Sequence, residues 1–483
     1  MMRARTKRLK LPVVTIVCLV LVLALAVPTG AAPITAAAQE AAERGVAYLK
    51  GMQNPDGGMP VQPGGKSDAL VTAWVALALR AQGENPETLL SFLQADKTKW
   101  DATTDYARIA LAVQAAGGDP HRVGGRDLPA LLKARQRPDG SFGNDQEEGL
   151  INAHVWSILA LAATEGEIPR AGATRVWLLN QQNEDGGFGY ASGLLSDVDN
   201  TAAAIQALVV LGERGKPLAR ALNFMRQASD DGGAWGGFAG GANVATAAWG
   251  LQALAAAGED PLSSPWTIDG KGPVQYILSL QEDDGCFAYT PGLRSQPVWM
   301  TAQALLGLSG VPFPAAAGFR DVPPGDPAAM AVHKLVRRGA IAGYSDFAFH
   351  PQDNLTRAQF AKVLCLALTD YTAAEAAGFE PSPFSDVPAW AEPYVSVVAA
   401  PERAWLKGVG AGRFAPDEPV TGAQVATVLL RASGKANAVP VTNPWYAGYV
   451  AAAGSEGLLW DGFDPLAPAT RAQCALALAA LLD

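Results

Sequence analysis

The feature that most constrains this chain is a turn that keeps coming back. Its fullest copy reads Gln182-Asn183-Glu184-Asp185-Gly186-Gly187-Phe188-Gly189. Adjacent glycines there permit positive φ and close backbone approach. A short loop follows, and Asp197-Val198-Asp199-Asn200-Thr201-Ala202 opens a helix whose first amides Asp and Asn can cap. Similar turns stand at Gln53 to Gly58, faintly at Gln94, at Gln136 to Gly143, at Gln227 to Phe238 with an insertion, and at Gln281 to Phe287. A helix-like apolar segment precedes each, such as Trp177-Leu178-Leu179 or Tyr276-Ile277-Leu278. An alanine-rich helix follows each: Thr72 to Leu79, Tyr106 to Val113, His154 to Leu161, Thr201 to Leu208, Ala247 to Leu254 and Thr301 to Leu308.

A lone helix pair cannot bury its apolar face, so such units stack. Six pairs predict an all-α fold of twelve helices in two rings, the alanine-rich helices crowded inside. Parallel inner helices bring their N-termini, and the positive ends of their dipoles, to one mouth. The pattern resembles the α/α toroids of the terpenoid cyclase and protein prenyltransferase superfamily, whose QW-type repeats the Gln…Asp-Gly-Gly-Phe-Gly turns are similar to. The resemblance covers residues 39–310.

Two toroid chemistries are open to test. Class II cyclases carry Asp-x-Asp-Asp-Thr-Ala, whose central acid protonates an alkene or epoxide. The resemblance implies Asp199 as general acid with Asp197 beside it, although Asn200 replaces the last Asp. Such an acid has to keep its proton, which burial and a neighbouring carboxylate favour. The competing role is a helix cap, because Asp68 precedes Thr72 as Asp197 precedes Thr201, and Asn243 precedes Ala247 likewise. The prenyltransferase zinc site is not expected. Asp284-Gly285-Cys286 lies in a turn, Met300 stands where the zinc His belongs, and zinc needs three or four converging ligands. No cofactor and no metal are therefore expected. Cavity or ligand-binding candidates are His154, Trp156, Asn200, Trp249 and Trp299, with core packing as the alternative for the aromatics.

Residues 1–38 carry Arg3, Arg5, Lys7, Arg8 and Lys10, then an apolar run from Leu11 to Val27 and small residues to Ala38. This reads as a secretory signal, cut after Ala31 or after Ala38; a retained membrane anchor is the rival. Its removal takes five positive charges and turns −9 into −14. An acidic chain of this kind is a poor nucleic-acid binder. Cys286, Cys365 and Cys474 then remain, odd in number and far apart, so no disulfide framework is expected.

Composition shifts after Gly310. Residues 311–317 form a short Pro-containing linker, and three repeats follow at 318–372, 383–435 and 438–483. Phe319-Arg320-Asp321-Val322-Pro323 and Phe384-Ser385-Asp386-Val387-Pro388 open the first two. Thr356-Arg357-Ala358-Gln359, Thr421-Gly422-Ala423-Gln424 and Thr470-Arg471-Ala472-Gln473 start the second helix of each. These are similar to S-layer homology modules. The resemblance implies a mostly helical three-module prism that binds pyruvylated secondary cell-wall polysaccharide, through Arg357 and Arg471, the opening Asp321 and Asp386, and the aromatics Trp390 and Trp445. A guanidinium pairs bidentately with a pyruvyl carboxylate, so the repeat with Gly422 is expected to bind weakly. The whole then reads as a secreted, wall-tethered protein at a bacterial cell surface. It displays a toroid that is either a binding or scaffold domain or an enzyme, a divergent class II cyclase or a carbohydrate-active enzyme with Asp199 as general acid.

Overall fold

The computed structural model describes residues 35–482, apart from 231–232, 238–239, 324–325, 345–347 and 370–379. All but the last few residues of the expected signal lie outside the described residues.

Six outer and six inner helices alternate along residues 36–308. The outer ones are α1 (Ala36–Gly51), α3 (Leu90–Ala95), α5 (Leu128–Ala134), α7 (Ala171–Leu179), α9 (Lys216–Gln227) and α11 (Pro273–Ser279). The inner ones are α2 (Ala69–Ala81), α4 (Thr103–Ala115), α6 (Ile151–Glu165), α8 (Val198–Val210), α10 (Val244–Ala257) and α12 (Pro297–Leu308). Each inner helix packs on the next, and α12 packs back on α2, so the ring closes. The expected toroid is therefore the fold.

The recurring glutamine explains the stacking. Gln182 Nε2 donates to the carbonyls of Gly186 in its own turn and of Pro217 at the start of α9, both at 2.8 Å. Gln53 does the same to Gly57 and Thr88, both at 3.1 Å. Gln281 reaches Gly285 at 3.1 Å and Ala41 of α1 at 2.7 Å, stapling the last unit to the first. Glycine is required at Gly186, where φ is +92° and a Cβ would stand 2.6 Å from the Arg220 carbonyl oxygen. The same geometry fixes the threonine that α2, α8 and α12 carry near their starts. Thr72, Thr201 and Thr301 accept the N–H of Met59, Phe188 and Phe287 at 2.8, 2.9 and 3.0 Å. Asp68, Asp197 and Asn243 cap α2, α8 and α10 as the repeat position suggests.

The linker is not a spacer. Phe313 enters the toroid from the C-terminal ends of the inner helices. Its N–H donates to Gln206 Oε1 at 2.9 Å, and its ring lies 5.7 Å from Trp156 and 6.1 Å from Trp249. Helical spacing places Ala78, Ala112, Ala160, Ala207 and Ala253 one turn below the axial tryptophans, and such small side chains leave room for an aromatic ring. Arg80 Nη2 to the Val322 carbonyl (3.3 Å) and Gln114 Nε2 to the Gly318 carbonyl (3.2 Å) join the two domains.

The C-terminal domain holds α13 (Ala329–Arg337), α14 (Arg357–Leu368), α15 (Glu392–Ala399), α16 (Gly422–Ala432), α17 (Ala447–Ser455) and α18 (Arg471–Leu482). Packing straddles the sequence repeats: α15 sits on α14, α17 on α16, and α13 on α18. At the centre three backbone hydrogen bonds form a cycle. Leu355 N–H donates to Ala469 O (3.2 Å), Ala469 N–H to Val420 O (2.8 Å), and Val420 N–H to Leu355 O (2.9 Å).

Candidate functional site

The toroid axis is filled, not hollow. Trp74, Trp156 and Trp249 come from the same register position of α2, α6 and α10 and meet edge to face, with centroids 5.5–6.3 Å apart. The intervening helices α4, α8 and α12 put Arg108, Ala203 and Gln303 at that level. The Arg108 guanidinium lies over the Trp74 and Trp156 rings at 5.1 and 5.2 Å and pairs with Asp105 at 3.3 Å. One turn nearer the mouth, about 6 Å along the helices, the register brings Leu70, Thr104, Asn152, Asp199, Ala245 and Trp299. These six positions, all half-buried, form a rim above the aromatic layer, the cup of the ring.

Asp197 and Asp199 divide their roles. Asp197 accepts the backbone N–H and the side-chain amide of Asn200, both at 2.8 Å, so Asp197 and Asn200 are engaged in the cap of α8. Among the described residues Asp199 makes no cap of its helix. Burial pushes its carboxyl above the usual range, the Thr246 hydroxyl beside it pulls the other way, and the charge of Asp197 adds to the rise. Asp105 is raised by burial as well, against the pull of Arg108, with Glu147 and Asp68 adding to the rise.

His154 does not line the cup. It is fully buried between the rings, Nδ1 accepting the Phe142 N–H and Nε2 facing the Thr174 carbonyl, both at 3.2 Å. It replaces the threonine of the sister repeats, and burial drives its pKa down to about 3. Trp156 is floor material rather than wall, being 2% exposed; Trp249 and Trp299 stay partly open. Sequence reasoning missed Arg108, Thr246 and Phe313. Aligning the six inner helices on the position of Thr72, Thr201 and Thr301 shows Arg108 in a tryptophan column.

Glu282, Asp284 and Cys286 lie close enough together to suggest a metal. Arg294 already bridges both carboxylates, and burial raises the Cys286 thiol to about 12, which disfavours the thiolate a metal needs.

In the C-terminal domain the arginines are latches. Arg357 Nε donates to Phe414 O (2.9 Å) and Nη2 to Lys407 O (2.7 Å), with the guanidinium over the Phe414 ring. Arg471 repeats this on Phe349 O (2.8 Å) and Ala342 O (2.7 Å). Both side chains are buried, 3% and 6% exposed, so the expectation that they grip polymer gives way to one of joining repeats. At the third seam a side chain on Gly422 would collide with the Asp464 carbonyl. Asp321 and Asp386 each accept two backbone N–H groups of their own repeat, Phe349 and His350 or Phe414 and Ala415, at 2.7–2.9 Å. Trp390 and Trp445 remain at the surface, 51% and 55% exposed.

These geometries match known families. The S-layer homology domain matches residues 318–361 and 383–426, and the prenyltransferase alpha-alpha toroid domain matches 150–297. The chain is a toroid joined to S-layer homology repeats. The third repeat, beyond those matches, completes the same central cycle through Ala469. Drimenyl diphosphate synthase from Streptantibioticus cattleyicolor is 32% identical over 231 residues, 42% of each protein. The chain thus spans about two fifths of the length of that curated relative. An endoglucanase from a Bacillus species is 35% identical over 105 residues, 21% of this chain and 10% of that protein. Among solved structures, the type II terpene cyclase MstE from Scytonema is 15% identical with a TM-score of 0.42, covering 56% of this chain and 98% of that one. S-layer homology repeats mark a protein held at the cell surface. Among the described residues no helix is long and apolar enough to cross a membrane.

Proposed function

We propose that the protein is secreted, held on cell-wall polysaccharide by its C-terminal repeats, and displays the toroid as a binding domain for a small ligand. The observation that carries the toroid reading is the packed aromatic layer: three tryptophans, Arg108 and Phe313 stand together across the axis, in the way of a long prenyl chain. What remains is an aromatic-floored cup with polar walls, the usual character of a small-molecule site. For the anchor, exposed Trp390 and Trp445 are the groups that stack on sugar rings, and the pyruvylated polymer is the partner the repeats imply. Sedimentation of the protein with purified walls tests this. Trp390→Ala and Trp445→Ala together should release a folded protein, and retention should vanish on walls stripped of pyruvylated polymer. Retention unchanged in the double variant would move the polymer site elsewhere.

A second reading is favoured by Asp199 itself. A half-buried carboxyl whose pKa burial raises, beside a motif like that of class II cyclases, suits a general acid, and the similarity to drimenyl diphosphate synthase points the same way. Incubation with linear isoprenyl diphosphates tests it: cyclised product lost in Asp199→Asn supports catalysis, and no product from wild type leaves the binding role.

A further inference from the structure

We propose that Thr246, held by Asn243, is the positioning residue of an Asp199 acid: its hydroxyl steadies the carboxylate left when Asp199 gives its proton to a neutral, electron-rich group lying over Trp249 and Trp299. This rests on the reading of Asp199 as an acid. Three elements meet at the site. Helix α8 brings Asp199, α10 brings Thr246 with its cap Asn243, and the preceding loop brings Gly237.

Asn243 Nδ2 donates to Thr246 Oγ1 at 3.0 Å, and Asn243 Oδ1 accepts the Thr246 N–H at 3.0 Å. A hydroxyl that already accepts from an amide has its own proton free to donate, and the Asp199 carboxyl stands beside it. Gly237 presses against both groups: a Cβ there would lie 2.5 Å from Asp199 Oδ2 and 2.9 Å from Thr246 Oγ1. Thr246 and Asn243 are 1% and 4% exposed, which favours a fixed hydroxyl over solvent as the partner. The charged group that bears on Asp199 is Asp197; the segment 233–243 carries no ionisable side chain, nor does α10.

In the step, the Asp199 O–H bond breaks and the proton bonds to the acceptor's electron pair. The carboxylate left behind is met by the Thr246 O–H, and Asp199 is recharged by the proton that the cationic ligand later sheds. Burial keeps the proton on Asp199 beforehand, and Thr246 makes its departure easier.

Difference infrared spectroscopy of the full chain, following the protonated carboxyl band against pH and assigned with Asp199→Asn, tests this without any substrate. Wild-type Asp199 should titrate above the ordinary range. Thr246→Val should raise it by about one further unit, and Thr246→Ser should restore it. Asn243→Asp keeps the cap but loses the amide donor, so it too should raise the titration. A folded Thr246→Val with wild-type titration overturns the role of Thr246 and leaves the acid reading intact. Should Thr246→Val not fold, an unshifted Asn243→Asp overturns it instead. An ordinary titration in wild type overturns the acid reading and this inference with it.

Discussion

The toroid and the anchor are both rings of repeats, closed by polar side chains that reach across to backbone carbonyls. They differ in what fills the middle. In the toroid a neutral glutamine staples neighbouring units at the periphery, which leaves the axis to side chains and the mouth open. In the anchor the backbone itself closes the axis, and charged arginines latch the seams. A ring whose centre is backbone is held by main-chain hydrogen bonds on its axis and by side chains at its seams. A ring whose centre is side chains can hold a spare carboxyl such as Asp199.

Emptying the toroid axis from below should have the largest effect. Phe313→Ala removes an aromatic from a packed bore and should destabilise the toroid by about 3–5 kcal/mol. Denaturant unfolding followed by tryptophan fluorescence measures it, and a loss under 1 kcal/mol would mean that the linker merely passes by.

The seams come next. Arg471→Ala strips two buried carbonyls of their charged donor and should cost about 2–4 kcal/mol in the anchor. Arg471→Lys should recover little of it, since one ammonium cannot fork to Phe349 and Ala342 together. If Arg471→Ala unfolds like wild type yet releases walls, the arginine belongs to the ligand after all.

Acid should separate the two rings through His154. Its folded pKa of about 3 lies below the unfolded value, so the unfolded state binds more protons across that interval. The stability it confers is fully present above about pH 6.5 and is lost as pH falls toward 3. Between pH 7 and pH 5 the toroid should lose about 2 kcal/mol from this group. His154→Thr, which installs the residue of the sister repeats, should flatten that part of the pH–stability curve.

The smallest effect contrasts the two carboxyls of one motif. Asp197→Ala should cost about 1 kcal/mol as a lost cap. Asp199→Asn should leave stability within about 0.5 kcal/mol; a larger loss by thermal denaturation would return Asp199 to a structural role.

The sequence by itself determined the rings. A turn whose glutamine, glycines and following cap recur in register states the unit, and six such units have few ways to hide their apolar faces other than closing. The Thr-x-x-Gln starts and Asp-Val-Pro openings likewise announced three more units. Periodicity is a local property, and it survives in the letters. The letters did not tell which side of a helix start faces the axis, and that decided the roles. Asp197 and Asp199 are two residues apart, yet rotation about α8 makes one a buried cap and leaves the other a half-buried carboxyl beside Thr246. Arg357 and Arg471 read as ligand-binding forks because charge is legible in sequence and burial is not. His154 became a spacer between rings, and a proline-flanked linker became the plug of a bore, because only packing against distant helices fixed where those side chains could go.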